Sequence, residues 1–517
     1  MLKCKLINNQ YLLISKYYAR KYFMNYTIKL IFTFFLLGFK ILSAQAFDGY
    51  TLFSPTGGGP GGGTGGTSYL MDNDMNMVHS WTHPRGAASM PYLRADSSII
   101  YPYRVQSPTM SSGGVGGGIA HIAWDSSILW QFTISNDNYQ HHHDVQPLPN
   151  GNILVITWEK KTATEAYAMG RQTIDNPLGE MWSTAIFELE MVPPNQANIV
   201  WEWHLWDHLV QDYEASLPGY GVISEHPELF NINNGEVGGG GGPGGSNADW
   251  MHINAIDYNP HLDHIVISSR HQNEILIIDH STTTEEAAGH TGGNSGKGGD
   301  FIYRWGNPSN YDRGSNSDQQ LDSQHGVNWI KQGYPGEGNL ILYNNNYAAN
   351  SSAIFEIVPP LTTDSSNYIL SGTQSYGPPG PVWIHTGDFH SNVQSGAFRL
   401  PNGNTLVSVA DDGEIFEVDS LGFTVWDYTH PGTNIMVARA QKYSTDFLGV
   451  GDTTGFPDYR VGDVNFDEDI DVYDLFYTID MEGGYYPPTP PADINEDSEI
   501  NFQDIMAFVY NIMNFNR

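Results

Sequence analysis

Cysteine is almost absent from this chain. The single copy, Cys4, stands ahead of an apolar leader-like segment in a sequence of 517 residues. Cleavage after that segment leaves a body with no disulfide, no thiolate metal ligand and no cysteine nucleophile, so a core or a metal must hold the fold. Positive charge is scarce too: 23 Lys and Arg face 57 Asp and Glu, a formal charge of −34. That balance supplies no basic footprint for nucleic acid or an anionic membrane, and it excludes both as general partners. It also makes any arginine within a polar motif conspicuous. No apolar run beyond the N-terminal segment is long enough to span a bilayer. A phosphate-binding loop is missing as well. The tempting TGGNSGKGGD at 291–300 has Thr291 where the first glycine belongs and Gly298 after Lys297.

What is present points to an all-β body. Glycine is abundant at 56 residues and aromatics reach 13%, while strong helix formers are thin. From Met24, MNYTIKLIFTFFLLGFKILSAQA has a Lys-bearing start, an apolar run broken by Lys40, and a small-residue Ala44-Gln45-Ala46 ending. It reads as a secretory signal peptide, giving a secreted or periplasmic protein whose mature chain has no membrane span.

Along the body an aromatic-bearing strand pair recurs six times: at 68–84, 119–134, 185–205, 274–308, 353–370 and 414–431. A second unit alternates with it, as in LPNGNILVITW, YPGEGNLILYN and LPNGNTLVSVA, where a polar turn precedes a Val/Ile/Leu strand. Six copies of a multi-strand unit predict a six-bladed β-propeller, an arrangement that buries both faces of every sheet. Long stretches at 206–248 and 279–300 read as loop insertions at one end of it. The glycine tracts at 57–66, 113–118 and 238–245 read as flexible insertions. The resulting division is 1–46 N-terminal extension and signal peptide, 47–445 propeller, 446–460 linker and 461–517 a small helical module.

That last module carries the most specific spacing in the chain. Asp463, Asn465, Asp467, Asp469, Asp471 and Asp474 occupy positions 1, 3, 5, 7, 9 and 12 of a loop. Thirty residues on, Asp493, Asn495, Asp497, Glu499, Asn501 and Asp504 repeat the register. Calcium takes six to eight hard oxygens with flexible geometry, and this spacing wraps them around one ion. Glu468 and Ser498 replace the glycine usual at position 6. The duplicated loop, each copy leading into an amphipathic segment, resembles a type I dockerin. The resemblance implies EF-hand-like calcium loops, a helix pair folded by calcium, and docking to a cohesin-like protein; a purely structural role for the ion stays open.

The propeller region carries a second resemblance. HHHDVQPLPNGNILVITWE, ADWMHINAIDYNPHLDHIVISSRHQNEILIIDHSTTTEEAAGHTGG, the Gln324-His325 pair and SGAFRLPNGNTL are similar to the bacterial arylsulfate sulfotransferase family over roughly 65–435. Asp249-Trp-x-His252-x-Asn254 followed by Ser268-Ser-Arg270 is the most specific part. The family implies a six-bladed propeller and an enzyme. It implies transfer of a sulfuryl group from an aryl sulfate donor to a phenolic acceptor through a sulfohistidine, with no nucleotide sulfate donor.

Candidate site residues follow, each with an ordinary alternative. His325 is the choice for nucleophile. His252 is either a site residue or a bond to a neighbouring blade, and Arg270 is either an oxyanion fork or a structural cation. Asn254 either serves the site or caps a turn. His142 or His143 lines the channel, or all three histidines 141–143 simply hydrogen-bond within a loop. On a strand, neighbours point to opposite faces, so three adjacent histidines cannot converge without an unusual bend. His204 and His208 have the i, i+4 spacing of a helical metal pair, with no third ligand evident. The alternative function is a non-catalytic secreted propeller that binds a glycan or protein and is tethered by the calcium module.

Overall fold

Each Val/Ile/Leu run has to bury both of its faces, and the architecture follows from that. The computed structural model describes residues 45–57, 64–238, 246–447, 475, 478–479, 494 and 501–515. Six four-stranded antiparallel sheets form the six blades of a β-propeller, as the repeats predict. Blade 1 combines Gly49–Gly57, Thr64–Met71 and Met77–Arg85 with the late strand Ile435–Ser444. Blades 2 to 6 then follow in chain order, and their first strands are Tyr92–Leu93, Tyr139–Pro147, Ile253–Asn259, His325–Trp329 and Gly396–Arg399. These first strands, with Ile435–Ser444 in blade 1, pack toward the axis.

Six hydrophobic clusters lie one to each seam between neighbouring blades. Residues 153–156 show how. Ile153 and Val155 pack toward blade 2, whereas Leu154 and Ile156 pack toward blade 4, and all four are fully buried. Alternation along a strand therefore feeds two cores at once, so a continuous apolar run is the correct signature. Closure comes from chain ends: Gly49 pairs with Ser444 and Gly57 with Ile435 in one antiparallel ladder.

One expectation about loops changes. The 113–118 glycine tract is no flexible insertion, because Gly117–Ile122 is a blade 2 strand and the preceding glycines are packed against histidine rings. The segments at 206–238 and 279–300 also hold local order. They contain the parallel pairing of Leu209–Val210 with Phe230–Asn231 and a short helix, Thr284–Ala287, with a complete capping box.

Of the C-terminal module the described part is the helix Phe502–Phe515 with its start. Asn501 accepts from the Gln503 amide at 2.8 Å, and the buried Asp504 carboxylate accepts from the amides of Asn501 and Ile494, each at 2.9 Å. The other proposed ligands (Asp463, Asn465, Asp467, Asp469, Asp471, Asp474, Asp493, Asn495, Asp497 and Glu499) and the leader at 1–44 lie outside the described residues. Among the described residues no helix is long and apolar enough to cross a membrane.

Candidate functional site

The unusual bend required by three adjacent histidines is present. Register slips between His141 and Val145, and His143 takes a left-handed backbone with φ of 51°. The slip breaks the strict alternation and brings Nδ1 of His142 and Nδ1 of His143 to 2.9 Å. The three side chains then divide their work. His141 accepts the Gly117 amide at its Nδ1, which is a structural bond. His142 is fully buried and stacks on Trp158 at 4.2 Å, behind His143. His143 faces His252, ring to ring at 4.7 Å and nearly perpendicular. Its ring leaves no room opposite: a Cβ on Gly114 would fall 2.1 Å from it.

His252 comes from the turn just before the first strand of blade 4, again with a positive φ of 49°. Left-handed backbone at a non-glycine residue costs on the order of 1–3 kcal/mol, and here it occurs at two facing histidines. Asp249 holds His252 from both sides. One carboxylate oxygen lies 2.5 Å from the ring Nδ1, while the other accepts the His252 amide at 3.1 Å and the Trp158 indole at 3.0 Å. Burial alone would raise the Asp249 carboxyl, but His252 beside it, with His271 and His142, holds it below the ordinary carboxylate range. The backbone amide of Arg270 donates to the His252 carbonyl at 3.2 Å. Its half-buried guanidinium makes no hydrogen bond or ion pair with any described residue.

His325 opens the first strand of blade 5. Its Nδ1 lies 2.8 Å from Oδ1 of Asn345. The orientation of that amide is settled by its other end, since Nδ2 donates to the carbonyls of Ser391 at 2.9 Å and Gln394 at 3.2 Å. Carbonyls only accept, so Oδ1 is the atom turned to His325, and Nδ1 of His325 must carry the hydrogen. The lone pair is thereby assigned to Nε2. Burial first, then the Arg270 charge, keep the His325 imidazole well below its ordinary pKa and therefore neutral. Burial and the neighbouring His252, His142 and His325 do the same for His143.

Beneath these rings the inner strands exchange charge across blades. Asp144 of blade 3 pairs with Arg439 of the closing strand, accepts the Tyr92 hydroxyl of blade 2 at 2.8 Å, and accepts the Ile256 amide of blade 4 at 3.2 Å. Asp257 accepts the Trp329 amide of blade 5 at 2.7 Å, and burial raises its carboxyl to about 6.

The structure thus brings His143, His252, His325 and Arg270 together, with His142 one layer back. Asn254 is no turn cap: its amide donates to the Gln324 carbonyl at 2.7 Å and ties blade 4 to blade 5. His204 and His208 do not form a pair. His204 turns to Glu159 at 3.1 Å and His208 to Asp300 at 2.8 Å. Asn345, Asp249 as a ring partner, Asp144 and Arg439 were not foreseen from sequence. The bend at 143 had one signal, the run of histidines itself.

Fold and site together define a six-bladed propeller in which the neutral rings of His143 and His325 meet His252 and an arginine without a hydrogen-bond partner among the described residues. A family model for the arylsulfotransferases (ASST) matches residues 128–356, a span that contains all of these side chains. No curated protein matches the chain. Among solved structures, a protein of unknown function from Bacteroides caccae aligns at 11% identity and TM-score 0.38, over 76% of this chain and 98% of its own. The β-propeller domain of Cps50 (Swd1) from Myceliophteria thermophila aligns at 10% and 0.34, over 75% and 88%. Virginiamycin B lyase from Staphylococcus aureus aligns at 10% and 0.31, over 74% and 90%.

Proposed function

We propose that the propeller transfers a sulfuryl group from an aryl sulfate to a phenol, without a nucleotide donor and through His325. The observation that carries this reading is the fixed tautomer of His325: a neutral ring, with its lone pair on Nε2, beside a guanidinium that has no hydrogen-bond partner among the described residues. The family match over 128–356 supports the reaction class.

Sulfuryl transfer resembles phosphoryl transfer, in that the protein contributes position and charge around the equatorial oxygens. Arg270 offers two parallel N–H groups to those oxygens, and the ring of His143 supplies a further contact. The Nε2 lone pair of His325 attacks sulfur; the bond from sulfur to the aryl oxygen breaks and its electron pair leaves on that oxygen. His252, fixed at Nδ1 by Asp249, passes a proton from Nε2 to the departing oxygen. The phenol exits and an acceptor phenol takes its place. That phenol returns a proton to His252 and attacks sulfur, and the nitrogen–sulfur bond breaks to restore His325. Water must stay out between the two halves, which suits a site recessed in a propeller channel.

Purified protein with p-nitrophenyl sulfate tests the reading. Nitrophenol release should depend on an added phenol, and His325→Ala should abolish it. Quenching without acceptor should leave one SO₃ group on the peptide containing His325. Release that ignores the acceptor would indicate a hydrolase. No release with any donor, alongside tight binding of a glycan or protein, would indicate the non-catalytic propeller.

For the C-terminal loops the reading is calcium binding in a secreted protein, with a cohesin-like partner. Its support is the repeated spacing and the placement of Asp504, a buried carboxylate turned back across its own loop toward Ile494. Calcium would be held by the twelve loop residues, and it would order the helix Phe502–Phe515. Removing calcium with EGTA should lower helical circular dichroism and abolish docking, leaving the β signal unchanged.

A further inference from the structure

Away from the histidine site, two long insertions meet beside the last strand of blade 3. One leaves the Gln196–His204 strand and contains His208; the other joins the last two strands of blade 4 and contains His290 and Asp300. Neither insertion is stapled by a disulfide, since the only cysteine is Cys4. Yet His208 is completely buried, and its ring lies parallel to Trp203 at 5.5 Å. The Trp203 indole donates to the Gly299 carbonyl at 2.8 Å. Gly299 is pressed so close that a Cβ there would fall 2.7 Å from Nε2 of His208. Something organises this junction.

We propose that His208, His290 and Asp300 form a divalent transition-metal site, best suited to zinc, that clips the two insertions together. Both imidazoles aim Nδ1 at the same carboxylate oxygen, Oδ1 of Asp300, each at 2.8 Å. One ligand atom from each of the three residues lies within 4.8 Å of the other two. The two rings are perpendicular, 5.9 Å apart, so they approach the shared oxygen from different directions. Two nitrogens and one carboxylate oxygen form a borderline donor set that fits zinc, with the fourth tetrahedral position left to water.

The surroundings of His208 strengthen the assignment. Nε2 lies 2.8 Å from the Ala287 carbonyl, which only accepts, so Nε2 carries a hydrogen. A ligating histidine that donates its other ring N–H to a backbone carbonyl is the usual second-layer arrangement around a bound metal, and it fixes Nδ1 as the ligating nitrogen. His290 has 60% of its side chain exposed, which gives the ion an entry path from solvent. A related trio, Asp249, His252 and His271, belongs to the channel site and provides the internal comparison.

The test uses the full chain, with calcium in excess so that the acidic C-terminal loops do not compete. Cobalt(II) titration should give a tetrahedral visible spectrum at one equivalent per chain, and zinc should bleach it. His290→Ala, at an exposed position, should keep the fold by circular dichroism and weaken cobalt affinity at least about tenfold. Asp300→Asn keeps the shape of the side chain and removes its charge, and it should do the same. His252→Ala should leave the spectrum unchanged. Absence of a tetrahedral spectrum in the wild type would overturn the site, as would a spectrum lost in His252→Ala and retained in His290→Ala.

Discussion

At the scale of single residues, the site is built from tautomers and from close approach. Asn345 decides which nitrogen of His325 holds the lone pair, although it touches no reacting atom. Asn345→Ala should cut acceptor-dependent nitrophenol release at least about tenfold, toward the roughly 10⁴-fold that a wrong tautomer costs in a serine protease triad. Asn345→Asp, which preserves the acceptor, should retain more activity than Ala, a difference that a merely structural role would not produce. Because burial and Arg270 hold His325 neutral, its Nε2 lone pair persists as pH falls through 6.5, where an ordinary histidine would begin to charge. If His325 attacks as proposed, the pH–rate profile should show no acid limb there from its ring. Gly114→Ala would place a methyl within the His143 ring and at a positive φ of 73°; turnover should drop, and the melting temperature should fall with it. His252, Arg270 and His325 were singled out in sequence because the stretches that carry them resemble the arylsulfotransferase family, and the structure brings the three near one another. Asn345 was not, since it sits in an asparagine triplet that reads as a turn, and only the pairing of blade 5 brings it under His325. The glycines at 113–114 were misread for a related reason: a crowded backbone and a flexible one require the same residue.

Individual strands and seams carry the next layer. The six repeats made the propeller visible in advance, and the division of residues 153–156 between two cores shows why its strands read as continuous apolar runs. Ties between blades were not visible, because their partners are distant in sequence. His280 is such a tie: Nε2 contacts Glu188 of blade 3 at 3.0 Å and Nδ1 contacts Asp263 of blade 4 at 2.8 Å. Burial opposes its charge, but the two carboxylates prevail and raise its pKa from 6.5 to about 9. Below pH 6.5 both the folded and the unfolded chain hold this proton, and the tie contributes in full. As pH climbs from 6.5 to 9 the unfolded chain has released the proton while the folded chain keeps it, so the contribution shrinks and is gone above 9. Urea melts of the wild type against His280→Gln should therefore converge over that window, from an initial gap on the order of 1–3 kcal/mol. Arg439→Met would strand the fully buried Asp144, and loss of one partner of a buried pair costs about 3–5 kcal/mol. The same melts should register that loss at neutral pH.

The propeller is a ring closed by pairing its first strand with its last. A chain stopping at residue 447 keeps the closing strand and should give a cooperative β-rich melt, with cobalt binding intact. A chain stopping at 434 lacks Ile435–Ser444 and leaves the edge of Gly49–Gly57 open; it should fail to melt cooperatively and should aggregate. Sequence repeats gave the number of blades, but they could not show that blade 1 is assembled from both ends, since its fourth strand is its last in the chain. That closing strand also sets a timetable for biosynthesis. Asp144 is made about 300 residues before Arg439, so at about 5–20 residues per second the acid waits roughly 15–60 s for its countercharge. Until then, the floor under the histidines has no basic partner at its centre. A chaperone that receives the nascent chain meets an open ring, and the final strand both closes it and neutralises Asp144 in one event.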